Sequence, residues 1–318
     1  MSYTLRPAII TEAKPLVGLY AESGRGKTNS ALLLAKGFAG DMSKVVMIET
    51  EAGRGEVYAD DPVVGGFQVV SMRDNFSPVE YGKALSAAES ANPRVVIIDS
   101  ASHEWEGAGG VLDMAAKNQA DGKKGVIVWQ QPKILHQREF MLRLLSTPIP
   151  LVIVCMRAKY PMEEVNINGK KEWKRSPDLS PKQSEDILFE MFVHGWIDKA
   201  HAFHGTKYTI PAMREIFRDG EPVSVATGER LAAWTGGRKS PTPADEEKVE
   251  KLCAALVAAG MSLGYFLTRN EKKSLDDVPA SKLGAALKWI GDPANKEPAP
   301  IANRQTNDEF RAEMEKAP

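Results

Sequence analysis

The sequence predicts an α/β fold built on a mainly parallel sheet. Five short segments are almost continuously apolar, over 16–20, 45–48, 67–70, 95–98 and 151–155. Runs without polar alternation suit parallel strands covered by helices on both faces. Helix-compatible stretches separate them, over 27–38, 78–90 and 133–145. A glycine-rich turn follows the first strand, and carboxylates close the second and the fourth, so polar chemistry gathers at strand ends as it does in open α/β sheets.

Beyond Cys155 the pattern changes. The segment 157–181 is polar and charged, with a hairpin turn expected at 166–170. Further strands are expected over 188–193, 200–204 and 208–210. Glycine, proline and serine then cluster over 235–243, and the residues after them are helical in pattern. The organisation expected is a core over 1–236, a linker over 237–243, a small all-helical module over 244–290 and a flexible tail over 291–318. Helices are expected over 244–259, 262–269 and 279–290, with a further short one over 306–316. Leu252, Leu256 and Ala259 form the core-facing stripe of the first.

Composition narrows the class. Of 318 residues, 43% are hydrophobic, enough to bury a core and to exclude global disorder. The net charge of -1, from 41 basic and 42 acidic residues, demands no polyanionic partner, although a local basic loop is enough to grip one. Cys155 and Cys253 have no metal-type spacing, which favours a reduced, cytoplasmic chain over a disulfide or zinc framework. No run reaches the length of a membrane span and the N-terminus has no signal-like apolar stretch, so no membrane association is expected.

The first strand leads into Ala21-Glu22-Ser23-Gly24-Arg25-Gly26-Lys27-Thr28-Asn29. Apart from Ala21, this matches the phosphate-binding pattern G-x-x-x-x-G-K-[ST]. Gly24 and Gly26 let the backbone curl so that its N–H groups point at a phosphate. Lys27 supplies a charge for the β- and γ-phosphates, the Thr28 hydroxyl a magnesium ligand, and the following helix an N-terminal dipole. The ligands implied are ATP and Mg²⁺. Asp99, at the end of 95–98, is the expected partner for the metal's water shell. Glu49 and Glu51 follow 45–48 at a spacing that places them on one side if the strand continues, and either suits the orientation of an attacking water.

These residues resemble the RecA-like branch of P-loop ATPases. Glu51 after Ile48-Glu49-Thr50 is similar to the glutamate by which those proteins activate water, and Val95-Val96-Ile97-Ile98-Asp99-Ser100 to their magnesium strand. More narrowly, the pattern resembles a bacteriophage group of small RecA-like ATPases, some of which act in DNA recombination and single-strand annealing. The residues concerned are 99–105, 129–133, 155–159 and 188–193, within a likeness covering about 15–234. The resemblance implies ATP hydrolysis with Glu51, Lys27 and Arg157 as catalytic residues. It also implies action on single-stranded DNA, assembly into a ring or filament, and a cytoplasmic location, the host's if the chain is phage-encoded. A DNA translocase or helicase-loader motor and a small-molecule kinase are the alternative readings. RecA itself carries an Asn-Gln pair after the strand corresponding to 151–155, where this chain has Cys155-Met156-Arg157. Arg157 or Lys159 stands in its place, acting within the chain or on a neighbouring subunit, or the two form a solvated basic pair.

Two readings also stand for 157–182, where seven lysines and arginines interleave with Tyr160 and Trp173: a single-strand contact loop or an ordinary exposed hairpin. The glycine-rich run 106–110 has the position of a mobile DNA-facing loop, or is a flexible connection. His201 and His204, three apart in an expected strand, point to opposite faces, and with His194 they are read as packing or surface residues rather than metal ligands.

Overall fold

A computed structural model of the chain describes residues 13–167, 170–236, 243–270, 272, 278 and 282–297. The expectations for the linker residues 237–242, the hairpin tip at 168–169 and the helix over 306–316 lie outside these residues. The chain divides into two compact units at Gly237 and Arg238.

The larger unit is a mixed, mainly parallel sheet between two helical layers. Its strands are β1 (Leu16–Ala21), β2 (Val45–Glu49), β3 (Gln68–Ser71), β4 (Val95–Asp99), β5 (Leu151–Lys159), β9 (Val193–Ile197) and β10 (Phe203–Tyr208), in the order β10-β9-β1-β5-β4-β2-β3. Only β10 on this path runs antiparallel to its neighbour. Short β8 (Ser180–Pro181) pairs with the far end of β5, and β6 (Met162–Ile167) with β7 (Lys170–Arg175) forms a separate hairpin.

Period-two alternation sorts the strand residues into two cores. Val45, Met47, Val95, Ile97, Ile153 and Cys155 face the helix α1 (Lys27–Ala39). Val46, Ile48, Val96, Ile98, Val152 and Val154 face the helix α2 (Pro78–Ser90). Each such side chain is worth about 1.5–3 kcal/mol when fully buried, which is why β2 and β4 carry no polar residue before their last position. Helix α2 starts where its sequence dictates: Pro78 takes the first helical position and the Ser77 hydroxyl accepts from the Glu80 N–H.

The helix expected over 133–145 begins earlier, as α5 (Ile127–Leu135), a π-helical turn (His136–Met141) and α6 (Leu142–Ser146). Pro132 inside α5 has no N–H for the Val128 carbonyl, and the Asn118 side chain donates to that carbonyl instead, at 2.9 Å. The glycine-rich run after α3 (Ser102–Glu106) is a tight turn into α4 (Val111–Ala120), and a Cβ at Gly110 would lie 2.6 Å from the Glu104 carbonyl oxygen.

The strand expected over 188–193 is a correction: these residues fall in and after the helix α7 (Glu185–Glu190), and β9 starts only at Val193. Ser184 caps α7, accepting from the Asp186 N–H, and Glu185 and Asp186 in its first turn favour a helix start over a strand. The strand expected over 200–204 is likewise a turn as far as Ala202, with His201 at φ 64°. Helices α8 (Pro211–Ile216) and α9 (Val225–Gly236) complete the unit. Helix α9 crosses α1 closely: a Cβ at Gly37 would lie 1.9 Å from the Val225 oxygen, and one at Gly228 would lie 2.2 Å from the Leu34 oxygen.

One histidine of β9 makes stability depend on pH. His194 is buried, its Nδ1 has no hydrogen-bond partner among the described residues, and burial, with the charge of Lys207 adding to it, lowers its pKa from 6.5 to about 4. The folded state therefore holds His194 neutral, whereas the unfolded chain takes up a proton below its ordinary value. This contribution is intact above pH 6.5 and is lost as the pH falls toward about 4. Thermal unfolding across that range should show a steeper fall in Tm for the wild type than for His194→Gln; parallel curves would contradict the assignment.

The described part of the second unit contains α10 (Pro243–Ala258), α11 (Leu263–Arg269) and α12 (Leu283–Gly291). Leu252, Leu256, Phe266 and Ile290 are its buried centre, with Ala259 packed against them and the Phe266 and Trp289 rings edge to face at 5.6 Å. The Ser262 hydroxyl caps α11 by accepting from the Tyr265 N–H. Among the described residues, no single helix is long and apolar enough to cross a membrane.

Candidate functional site

The ends of β1, β2, β4 and β5 meet above α1. Between β1 and the helix, the loop turns on Gly24 (φ 78°) and Gly26 (φ 82°). Left-handed backbone alone favours glycine at both positions. Gly26 has a second reason, since a Cβ there would stand 2.7 Å from Nδ1 of His201. That nitrogen lies 2.9 Å from the Arg25 carbonyl oxygen, which can only accept, so Nδ1 carries the proton. An Arg25–Glu22 ion pair at 3.0 Å spans the same loop.

Helix α1 opens with neither a capping side chain nor an acidic residue in its first turn. Its first N–H groups thus face the loop without a built-in acceptor, the usual condition for anion binding. From this turn Thr28 donates its hydroxyl hydrogen to Oδ2 of Asp99 at 2.5 Å, and the Lys27 ammonium lies 3.4 Å from Oδ1. Burial opposes the Lys27 charge, but Asp99 foremost, with Cys155 and Glu51, outweighs it and raises the pKa. Asp99 itself is buried, and its Oδ1 has no hydrogen-bond partner among the described residues.

Residue pattern alone leaves Glu49 and Glu51 equal and the resemblance favours Glu51; the structure separates them. Glu49 ends β2 and is buried, accepting from the N–H groups of Glu51 at 2.7 Å and Gly53 at 3.0 Å and from Arg73 at 2.5 Å. It builds the turn. Glu51, already beyond the strand, faces the cleft and accepts from Nε of Arg157 at 3.0 Å, with Arg54 at 3.7 Å. Burial raises the Glu51 pKa, but the Arg157 hydrogen bond and the Lys27 and Arg157 charges prevail and hold it below the usual carboxylate value. Glu51 is therefore an ionised acceptor at neutral pH.

A second layer fixes this arrangement. Thr50 donates to the Ser100 carbonyl at 3.3 Å and accepts from the Ser100 N–H at 2.8 Å, and Tyr81 donates to the same carbonyl at 2.7 Å. The Arg157 N–H donates to the Ser102 hydroxyl at 2.9 Å, which ties the end of β5 to the residues after Asp99. Burial, then the Arg157 charge, lowers the His103 pKa, so the imidazole beside Thr50 is neutral at pH 7.

The cleft so formed has a volume of about 480 Å³. Residues 21–28, Glu51 and Arg157 all line it, whereas Asn29 lies outside the lining and Asp99 sits beneath its floor, reached through Lys27 and Thr28. Four further lining residues were not singled out for this site: Arg54, Tyr58, Ala158 and Lys182. Lys182 had stood out only as part of a basic run; pairing of β8 with β5 brings it here, where its ammonium bonds Glu106 at 3.1 Å. Lys159, the other candidate for the position of the missing polar pair, is exposed and does not line the cleft. Among the described residues no group of three or more His, Cys, Asp or Glu side chains converges as a metal cluster would. His204 pairs with Asp198 at 3.0 Å instead. Neither the model of any protein family nor any curated protein sequence matches this chain.

Proposed function

We propose that the chain is a RecA-like ATPase that binds Mg²⁺–ATP in this cleft, hydrolyses it, and acts on DNA in recombination or single-strand annealing. The observation that carries the nucleotide reading is the convergence of Lys27 and Thr28, from one helical turn, on the buried carboxylate of Asp99. A buried carboxylate oxygen that meets only the Lys27 ammonium, beside a hydroxyl, fits the donor set that a magnesium ion uses when phosphate oxygens and water complete its shell. When bound, the metal would neutralise charge on the β- and γ-phosphates. The loop N–H groups and Lys27 would hold those phosphates, and Glu51 would orient the attacking water and take up its proton. Arg157, already engaged within the same chain, would offer its guanidinium to the γ-phosphate. The DNA role and ring or filament assembly follow from the resemblance, and the lysines, arginine and exposed Trp173 of the hairpin β6–β7, set among Glu163, Glu164 and Glu172, are consistent with the first.

The test is phosphate release by the full chain with and without single-stranded DNA. Faster release with DNA, weakening steeply as salt is raised, is the expected result. Equal rates with and without DNA would remove DNA from the proposal, and absence of any release would remove hydrolysis.

A further inference from the structure

A second cavity, of about 690 Å³, lies beside the phosphate loop and shares only Glu22 and Arg25 with the nucleotide cleft. Two separate parts of the chain build its aromatic walls. Tyr160, just before the hairpin, carries the Arg175 guanidinium 4.0 Å from its ring centroid. Trp196, near the end of β9, is backed by the His204 ring, stacked at 4.3 Å and 23°. Arg25, Arg175 and Lys199 contribute positive charge to the lining. The two carboxylates present, Glu22 and Asp198, are engaged by Arg25 and His204, at 3.0 Å each.

Aromatic faces beside cations suit a ligand that is planar and anionic at once, such as a nucleotide unit. The free nucleotide has its own place against Lys27 and Thr28. Arg175 joins the cavity to the hairpin: Lys171, Trp173 and Arg175 alternate along β7 and so share one face, on which Glu164 stands opposite Trp173 and pairs with Lys171 at 2.5 Å, and Trp173 is 65% exposed. A chain of nucleotides can follow that face, whereas bases paired inside a duplex present no free ring to it.

We propose that this cavity is a single-stranded nucleic-acid site in which an unpaired base stacks on Trp196 and Tyr160 while Arg175 and Lys199 take the adjoining phosphates. The proposal rests on the DNA reading above and adds where the strand lies. It also supplies a physical link between the sites. Arg25 borders both, and His201, two residues beyond Lys199, holds its carbonyl.

The test is fluorescence anisotropy of a labelled oligothymidylate of about twenty nucleotides with the full chain, beside binding of a fluorescent ATP analogue. Tyr160→Ala, Trp196→Ala and Lys199→Glu should each weaken oligothymidylate binding about tenfold or more while leaving analogue binding unchanged. Trp196 also packs on the core, so if Trp196→Ala fails to fold the other two variants decide. Oligothymidylate binding by wild type that Tyr160→Ala and Lys199→Glu leave intact would overturn the site and spare the DNA reading. A wild type that binds the analogue but no oligothymidylate would remove both. Equal affinity for a duplex of the same length would also count against a stacking pocket.

Discussion

Lys27→Ala is expected to cut phosphate release by about a thousandfold or more and to weaken triphosphate binding with it. Loss of one preorganised donor aimed at charge that develops in a transition state costs roughly 10²–10³ in rate. Here the loss is compounded. The Lys27 side chain is only 12% exposed and its ammonium faces Asp99 at 3.4 Å. Without it the Asp99 carboxylate presents an uncompensated negative charge to an anionic ligand in a partly dry site. Hydrolysis and titration of a fluorescent ATP analogue, with a thermal melt to establish folding, read the effect. A folded variant that hydrolyses at near wild-type rate would sink the assignment of this cleft.

Glu51→Gln should separate binding from chemistry: analogue affinity stays within a few fold, while single-turnover hydrolysis falls by about 10²–10⁴, the range for loss of a general base. The surroundings make the contrast sharp. Arg157 and Lys27 keep Glu51 ionised, ready to accept a proton, and glutamine preserves its shape without that capacity. Because the Glu51 pKa is lowered, activity that depends on its ionised form should persist to lower pH than an unperturbed glutamate would allow. Removing the positive charge, as in Arg157→Ala, should move the acid limb of the rate profile upward. Unchanged hydrolysis in Glu51→Gln would exclude it as the base and leave Arg157 to be explained otherwise.

Much of this site was legible before the fold was known, and the reasons are local. A buried parallel strand announces itself by an unbroken apolar run, so the ends of β1, β2, β4 and β5 were placed to within a few residues, and Asp99 with them. The loop after β1 could be read because φ-positive glycines and a helix start leave few other residue choices. What escaped depends on geometry after a strand stops. Glu49 and Glu51 differ by two residues, yet one closes a turn on Arg73 and the other faces the cleft. Arg54 and Tyr58 enter through that same turn, and Lys182 through a two-residue strand that no periodicity reveals. The strand expected over 188–193 overlaps helix α7 because Leu188, Phe189, Met191, Phe192 and Val193 make a nearly unbroken apolar run, although Phe189 is exposed.

The register of the central strands has a consequence for how this site tolerates change. Glu49 stands opposite Asp99, Asp99 opposite Cys155, and Ala21 opposite Arg157, all on the side of the sheet that faces α1. The groups that lie on strands, Asp99 and Arg157, are thus addressed by counting residues along a pleat, and adjacent positions belong to opposite faces. Exchanging one apolar residue for another within 95–98 leaves Asp99 at its address; removing one delivers the carboxylate to the wrong side of the sheet. Such a site should therefore tolerate an apolar exchange within these strands far better than the loss of a single residue from them.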